Sequence, residues 1–81
     1  MREKIIEMIL EISDNNETFK KNPDIDILRE EIIDSLGFLE LVSTIEDTFD
    51  IELETSQIPS SVWSSVDQIA KMVEEYINAK E

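Results

Sequence analysis

The stretch Asp34–Glu54, DSLGFLELVSTIEDTFDIELE, decides the fold. Phe38, Leu41, Val42, Ile45 and Phe49 stand at i, i+3, i+4, i+7 and i+11, which puts five apolar side chains on one stripe of an α-helix over 35–49. Asp34 suits the N-cap, because its carboxylate can accept from the unpaired amides of the first turn. Ser35 then lies where free N–H groups and the positive end of the helix dipole favour an anion. At 100° per residue Leu36 falls nearly opposite the core stripe, on a face it shares with Glu40, Ser43, Asp47 and Asp50. Two readings of this tip stand side by side. Ser35 is either a second capping hydroxyl with Leu36 packed on a loop, or an exposed hydroxyl with an apolar neighbour set in a row of acids.

The rest of the chain fits a small all-α domain spanning 1–81. One glycine and two prolines leave little room for tight hairpins. Hydrophobic residues make up 41% of the chain, enough for a packed core rather than a disordered tail. Residues 2–13 form a first helix, with Ile5, Met8, Ile9 and Ile12 on its stripe and Ile6 widening it; Leu10 has no obvious place. Asp14-Asn15-Asn16 stops it, since these side chains compete for backbone hydrogen bonds. In the long connection 14–33, Pro23 prevents a continuous helix. A short helical turn is expected near 24–30, with Ile25, Ile27, Leu28, Ile32 and Ile33 pinning the connection across the helix ends and Phe19 folding back on the core. A turn is also expected at 56–60. Ser65-Val66-Asp67-Gln68 is a capping box that opens the last helix, patterned to about Asn78. Trp63 just before it is expected in the core. The predicted architecture is a small antiparallel bundle of three long helices plus one short helix.

Composition excludes several chemistries. The chain has no cysteine and no histidine, so it holds no thiol nucleophile, no disulfide, no Cys-ligated metal, and lacks the commonest neutral-pH base. Twenty acids against seven bases give a net charge of −13. That charge disfavours nucleic acid and anionic membrane surfaces and attracts basic protein patches at long range. An EF-hand starting at Asp24 fails, with Leu28 at its fifth position, Arg29 in place of the glycine and Ser35 in place of the final glutamate. No apolar run reaches the length of a membrane span, and the N-terminus lacks a secretory hydrophobic segment. A cytoplasmic monomer without membrane insertion is the expectation.

Asp34-Ser35-Leu36, opening an acidic amphipathic helix that ends Glu46-Asp47-Thr48-Phe49-Asp50-Ile51, resembles the acyl carrier protein family over most of the chain. Within that family Asn22-Pro23-Asp24-Ile25, Gly37 after the D-S-L motif and Val62-Trp63 look most like D-alanyl carriers, which load D-alanine for teichoic acid modification. The resemblance implies 4′-phosphopantetheine attached covalently to Ser35, beside Asp34, with no metal site and no catalytic residues of the chain's own. It also implies a phosphopantetheinyl transferase, an acyl- or D-alanine-activating ligase, and an acyltransferase or synthase as partners with basic patches. Leu36, Gly37, Glu40, Glu46, Asp47 and Asp50 form the expected partner face. Gly37 is expected to keep the surface beside Ser35 small. The alternatives are an acyl carrier of fatty acid or polyketide synthesis and, from another class, an unmodified acidic helical interaction module.

Self-repulsion at −13 should weaken the fold at low ionic strength. Added salt or divalent cations should therefore raise the melting temperature, as a thermal scan against ionic strength will show; a flat or falling trend contradicts the electrostatic reading.

Overall fold

The computed structural model describes residues 1–80. Four α-helices follow one another: α1 (Arg2–Ile12), α2 (Glu17–Lys21), α3 (Ser35–Phe49) and α4 (Val66–Lys80). Two 3₁₀ turns, Thr55–Gln57 and Ser60–Ser64, lie between α3 and α4. The bundle of three long helices and one short helix matches the patterning, and each long helix presents its stripe to one shared core. Ile5 and Ile9 of α1, Leu41 and Ile45 of α3, and Val66, Ile69 and Val73 of α4 are fully buried. Leu10, which the periodicity could not place, is half-buried and packs against this core.

The ends of the helices are set by local chemistry. After α1, Asp14 and Asn15 take left-handed backbone with φ of 58° and 57°, a conformation Asn and Asp tolerate better than other non-glycine residues. The Asn15 amide then donates to the Leu10 carbonyl at 2.7 Å. At the start of α4 the Ser65 hydroxyl accepts from the Gln68 amide at 3.3 Å, the first half of the capping box. At the end of α3, Asp50 adopts φ 54° and ψ 51°, and its amide donates back to the Glu46 carbonyl.

The short helix α2 lies within the long connection 14–33. It is capped by the Asn16 side chain, which accepts from the Phe19 amide at 3.2 Å, and it carries Phe19 into full burial. Residues 24–30 hold the expected single helical turn, in which the Glu30 amide donates to the Asp26 carbonyl at 2.9 Å. There the Asp26 carboxylate accepts from the amides of Leu28 and Arg29, and fully buried Ile27 donates its amide to the Ser64 carbonyl at 2.9 Å. That bond ties the long connection to the turn before α4. Ile32 and Ile33 are buried as expected, whereas Leu28 stays on the surface.

The helices meet in two ways. The end of α1 reaches the start of α3, where Ile12 lies against Gly37. α3 and α4 run in the same sense. Phe38 near the start of α3 packs on Trp63 just before α4, and Lys80 at the end of α4 bonds the Asp50 carboxylate at 2.7 Å. The connection 51–65 carries the chain back along the bundle to make this pairing. Arg2 ties a third corner: its Nε donates to Asp67 at 2.6 Å, and its Nη2 bonds Asp24. These bonds raise the guanidinium pKa above its ordinary value, Asp67 contributing most. Being exposed, they orient the elements more than they stabilise them.

Removing a fully buried branched side chain leaves a cavity as well as losing transfer energy. Ile45→Ala should cost about 2–5 kcal/mol in chemical denaturation. Leu36→Ala, on a residue that is 75% exposed, should stay within about 0.5 kcal/mol.

Candidate functional site

The site is built from the first turn of α3. Asp34 has extended backbone, φ −94° and ψ −171°, and its carboxylate accepts from the Gly37 amide at 2.7 Å. That bond makes Asp34 the N-cap and leaves the Ser35 hydroxyl no capping task. Ser35 is the first helical residue, and it is exposed. The free amides and the dipole of a 15-residue helix stand behind it, a setting that favours a negatively charged group attached there.

Gly37 is buried, which corrects the expectation that it keeps the outer surface small. A Cβ at this position would meet Ile12 Cγ2 and Ile33 Cβ at 3.2 Å and the capping Asp34 oxygen at 3.3 Å. Gly37 is needed because the end of α1 and the segment before α3 approach the helix backbone closely there, on the inner side. It contributes nothing to a partner face directly.

Beside Ser35 opens a cavity of about 750 Å³. It is lined by Leu28, Glu31, Ile33, Asp34, Ser35, Phe38, Ser60 and Trp63. Its apolar floor holds Phe38 and Trp63, whose rings meet edge to face with centroids 4.9 Å apart and planes at 90°. Leu28 and Ser60 join it from distant segments, and neither carried any local sign of that place. Trp63 is 3% exposed, so the indole is a core side chain that also lines the groove.

On the outer face Leu36 is exposed, as its off-stripe register predicts. Leu39, one turn further on and 60% exposed, joins it. The two leucines form an exposed apolar patch on a helix that also carries exposed acids. Glu40 and Asp47 are exposed acids on this helix. The other two expected acids have structural work. Glu46 Oε2 accepts from the Leu53 amide at 2.8 Å, closing the turn after α3. The Asp50 carboxyl is held below the usual carboxylate range by its hydrogen bond to Lys80 and by that residue's charge. Among the described residues no helix is long and apolar enough to cross a membrane.

The sequence pattern of a phosphopantetheine attachment site matches residues 3–73. The D-alanyl carrier protein of Staphylococcus xylosus is 30% identical over 74 residues, 91% of this chain and 94% of the relative. That of Bacillus subtilis (strain 168) is also 30% identical, over the same shares of both chains. The D-alanyl carrier protein of Lactococcus lactis subsp. cremoris (strain MG1363) is 35% identical over 75 residues, 93% of this chain and 94% of the relative.

If Glu46 holds the turn through its carboxylate oxygen, the amide of glutamine should replace it. Glu46→Ala should lower stability by about 1 kcal/mol while Glu46→Gln stays close to the parent. Urea midpoints of the two variants check this, and equal losses in both would assign Glu46 an electrostatic role instead.

Proposed function

The chain belongs to the phosphopantetheine attachment-site family, and from that premise we propose that Ser35 carries the arm and that the cargo is D-alanine. The protein is a phosphopantetheine carrier. The observation that carries the assignment to Ser35 is its position: an exposed hydroxyl on the first residue of α3, freed from capping by Asp34 and bordering an open groove. Such a hydroxyl has room for a bulky substituent, and the helix start complements the phosphodiester charge. In the modification Ser35 Oγ loses its proton and forms the ester bond to phosphorus, while the pyrophosphate bond of coenzyme A breaks and adenosine 3′,5′-bisphosphate leaves. Once attached, the arm supplies a terminal thiol on which an acyl or aminoacyl group is held as a thioester.

The chain's own residues then do the presenting. Asp34 keeps the helix start in place, and Gly37 lets that start sit tightly on Ile12. Leu36 and Leu39 offer the apolar contact for partner enzymes, and Glu40 and Asp47 steer basic surfaces toward it, mainly through the rate of encounter. The partners in this reading are a phosphopantetheinyl transferase, a D-alanine-activating ligase and an acyltransferase that receives the cargo. All bond-making beyond attachment is assigned to those enzymes, and the carrier acts in the cytoplasm. D-alanine is supported by the D-alanyl carrier relatives, which match across more than nine-tenths of the chain.

Intact mass after incubation with coenzyme A, magnesium and a broad-specificity phosphopantetheinyl transferase tests the attachment. The parent should gain one phosphopantetheinyl group, Ser35→Ala none, and Leu36→Ala the same group at a slower rate. Subsequent loading by a D-alanine ligase but not by an acyl carrier synthetase supports the cargo; the reverse pattern replaces D-alanine with a fatty acyl group. A folded parent that gains no mass beside a working control refutes Ser35 as the site.

A further inference from the structure

The way from Ser35 into the core runs along the seam between α3 and the 60–64 turn. Phe38, one helical turn beyond Ser35, and Trp63 from the opposite side meet edge to face across that seam. Behind them, on the same two sides, Leu41, Ile45, Val66 and Ile69 are fully buried. The groove in front of the pair is open to water, and the residues that follow it on both sides are shut off from solvent.

This arrangement bears on what the carrier can hold. A long alkyl group leaves water in proportion to the area it hides, so it is best protected inside the bundle and only half protected in an open groove. To enter, it would have to displace an indole and a phenyl ring already packed together, because close-packed interiors leave no spare volume. A short aminoacyl group faces the opposite balance. Its ammonium would lose hydration in the core, whereas the groove rim offers it water and the carboxylates of Glu31 and Asp34. We infer that the Phe38–Trp63 pair is a specificity-determining element, closing the bundle to long alkyl groups and restricting the carrier to short acyl or aminoacyl groups held outside the core. This rests on attachment at Ser35 and narrows the class of cargo that attachment can serve.

The test loads the parent and Phe38→Ala with acetyl and octanoyl arms, using the two coenzyme A thioesters and a broad-specificity transferase. Intact mass confirms each product before melting temperatures are taken. In the parent, acetyl and octanoyl forms should melt within about 1 °C of each other, since the longer chain finds no interior site. In Phe38→Ala, the octanoyl form should melt roughly 4–8 °C above the acetyl form, since the chain fills the space the ring has left. Hydroxylamine cleavage of the thioester gives a second readout: octanoyl should be protected several-fold in the variant and unprotected in the parent. Where Phe38→Ala does not fold, Trp63→Leu opens the same seam and takes its place. Equal octanoyl stabilisation in parent and variant, or none in the variant, overturns the role of the pair while attachment stands. No mass gain in any protein removes the attachment itself, and the role of the pair with it.

Discussion

The hydrogen bond from the Gly37 amide to the Asp34 carboxylate is the constraint on which the Ser35 end of the molecule depends. A helix start leaves its first amides without partners, and something must satisfy them. Because Asp34 does so, the next residue is free, and the helix begins with an exposed serine instead of a bonded one. The same bond holds Gly37 where the end of α1 closes on it through Ile12, so that capping and packing support one another within a single turn. Remove the cap and the start of α3 frays, taking with it one wall of the groove.

Charge is the second condition on the design. A chain with 20 acids and seven bases has few cations to distribute, and two of them sit at the extremities of the bundle. Arg2 gathers Asp24 and Asp67, and Lys80 reaches Asp50. Each joins segments far apart in sequence, so these cations relieve repulsion where helix ends would otherwise splay. Glu40 and Asp47, on α3, remain exposed acids. The acidic surface is thus divided: some carboxylates close the structure, and others are left to face outward.

Much of this was legible in the sequence because helical periodicity is a local signal. The stripes of α1, α3 and α4, the Asp34 cap, the Ser65 cap and the outward register of Leu36 all follow from residues within a few turns of one another. What was not legible depends on distant contacts. The five-residue α2 has too few positions to show a period, and its single core side chain, Phe19, reads as an oddity in a polar segment. Gly37 looked like a surface feature because only the fold brings Ile12 against it. Glu46 looked like one more surface acid because its partner, the Leu53 amide, lies in a turn whose path the pattern does not define. The groove beside Ser35 is assembled from three separate segments, so Leu28 and Ser60 carried no mark of belonging to it.

The distribution of left-handed backbone leads to one more consequence. Asp14, Asn15, Glu31 and Asp50 all have positive φ, yet none is glycine, while the one glycine occupies ordinary helical backbone in α3. The usual association of glycine with turns is therefore reversed. Where the chain bends, the backbone would accept glycine with relief of strain, most of all at Glu31, whose side chain has no special tolerance for that conformation. Where the chain does carry glycine, the demand is for lack of bulk and owes nothing to flexibility. Tolerance to sequence drift should follow that division, permissive at the bends and strict in the middle of a regular helix turn.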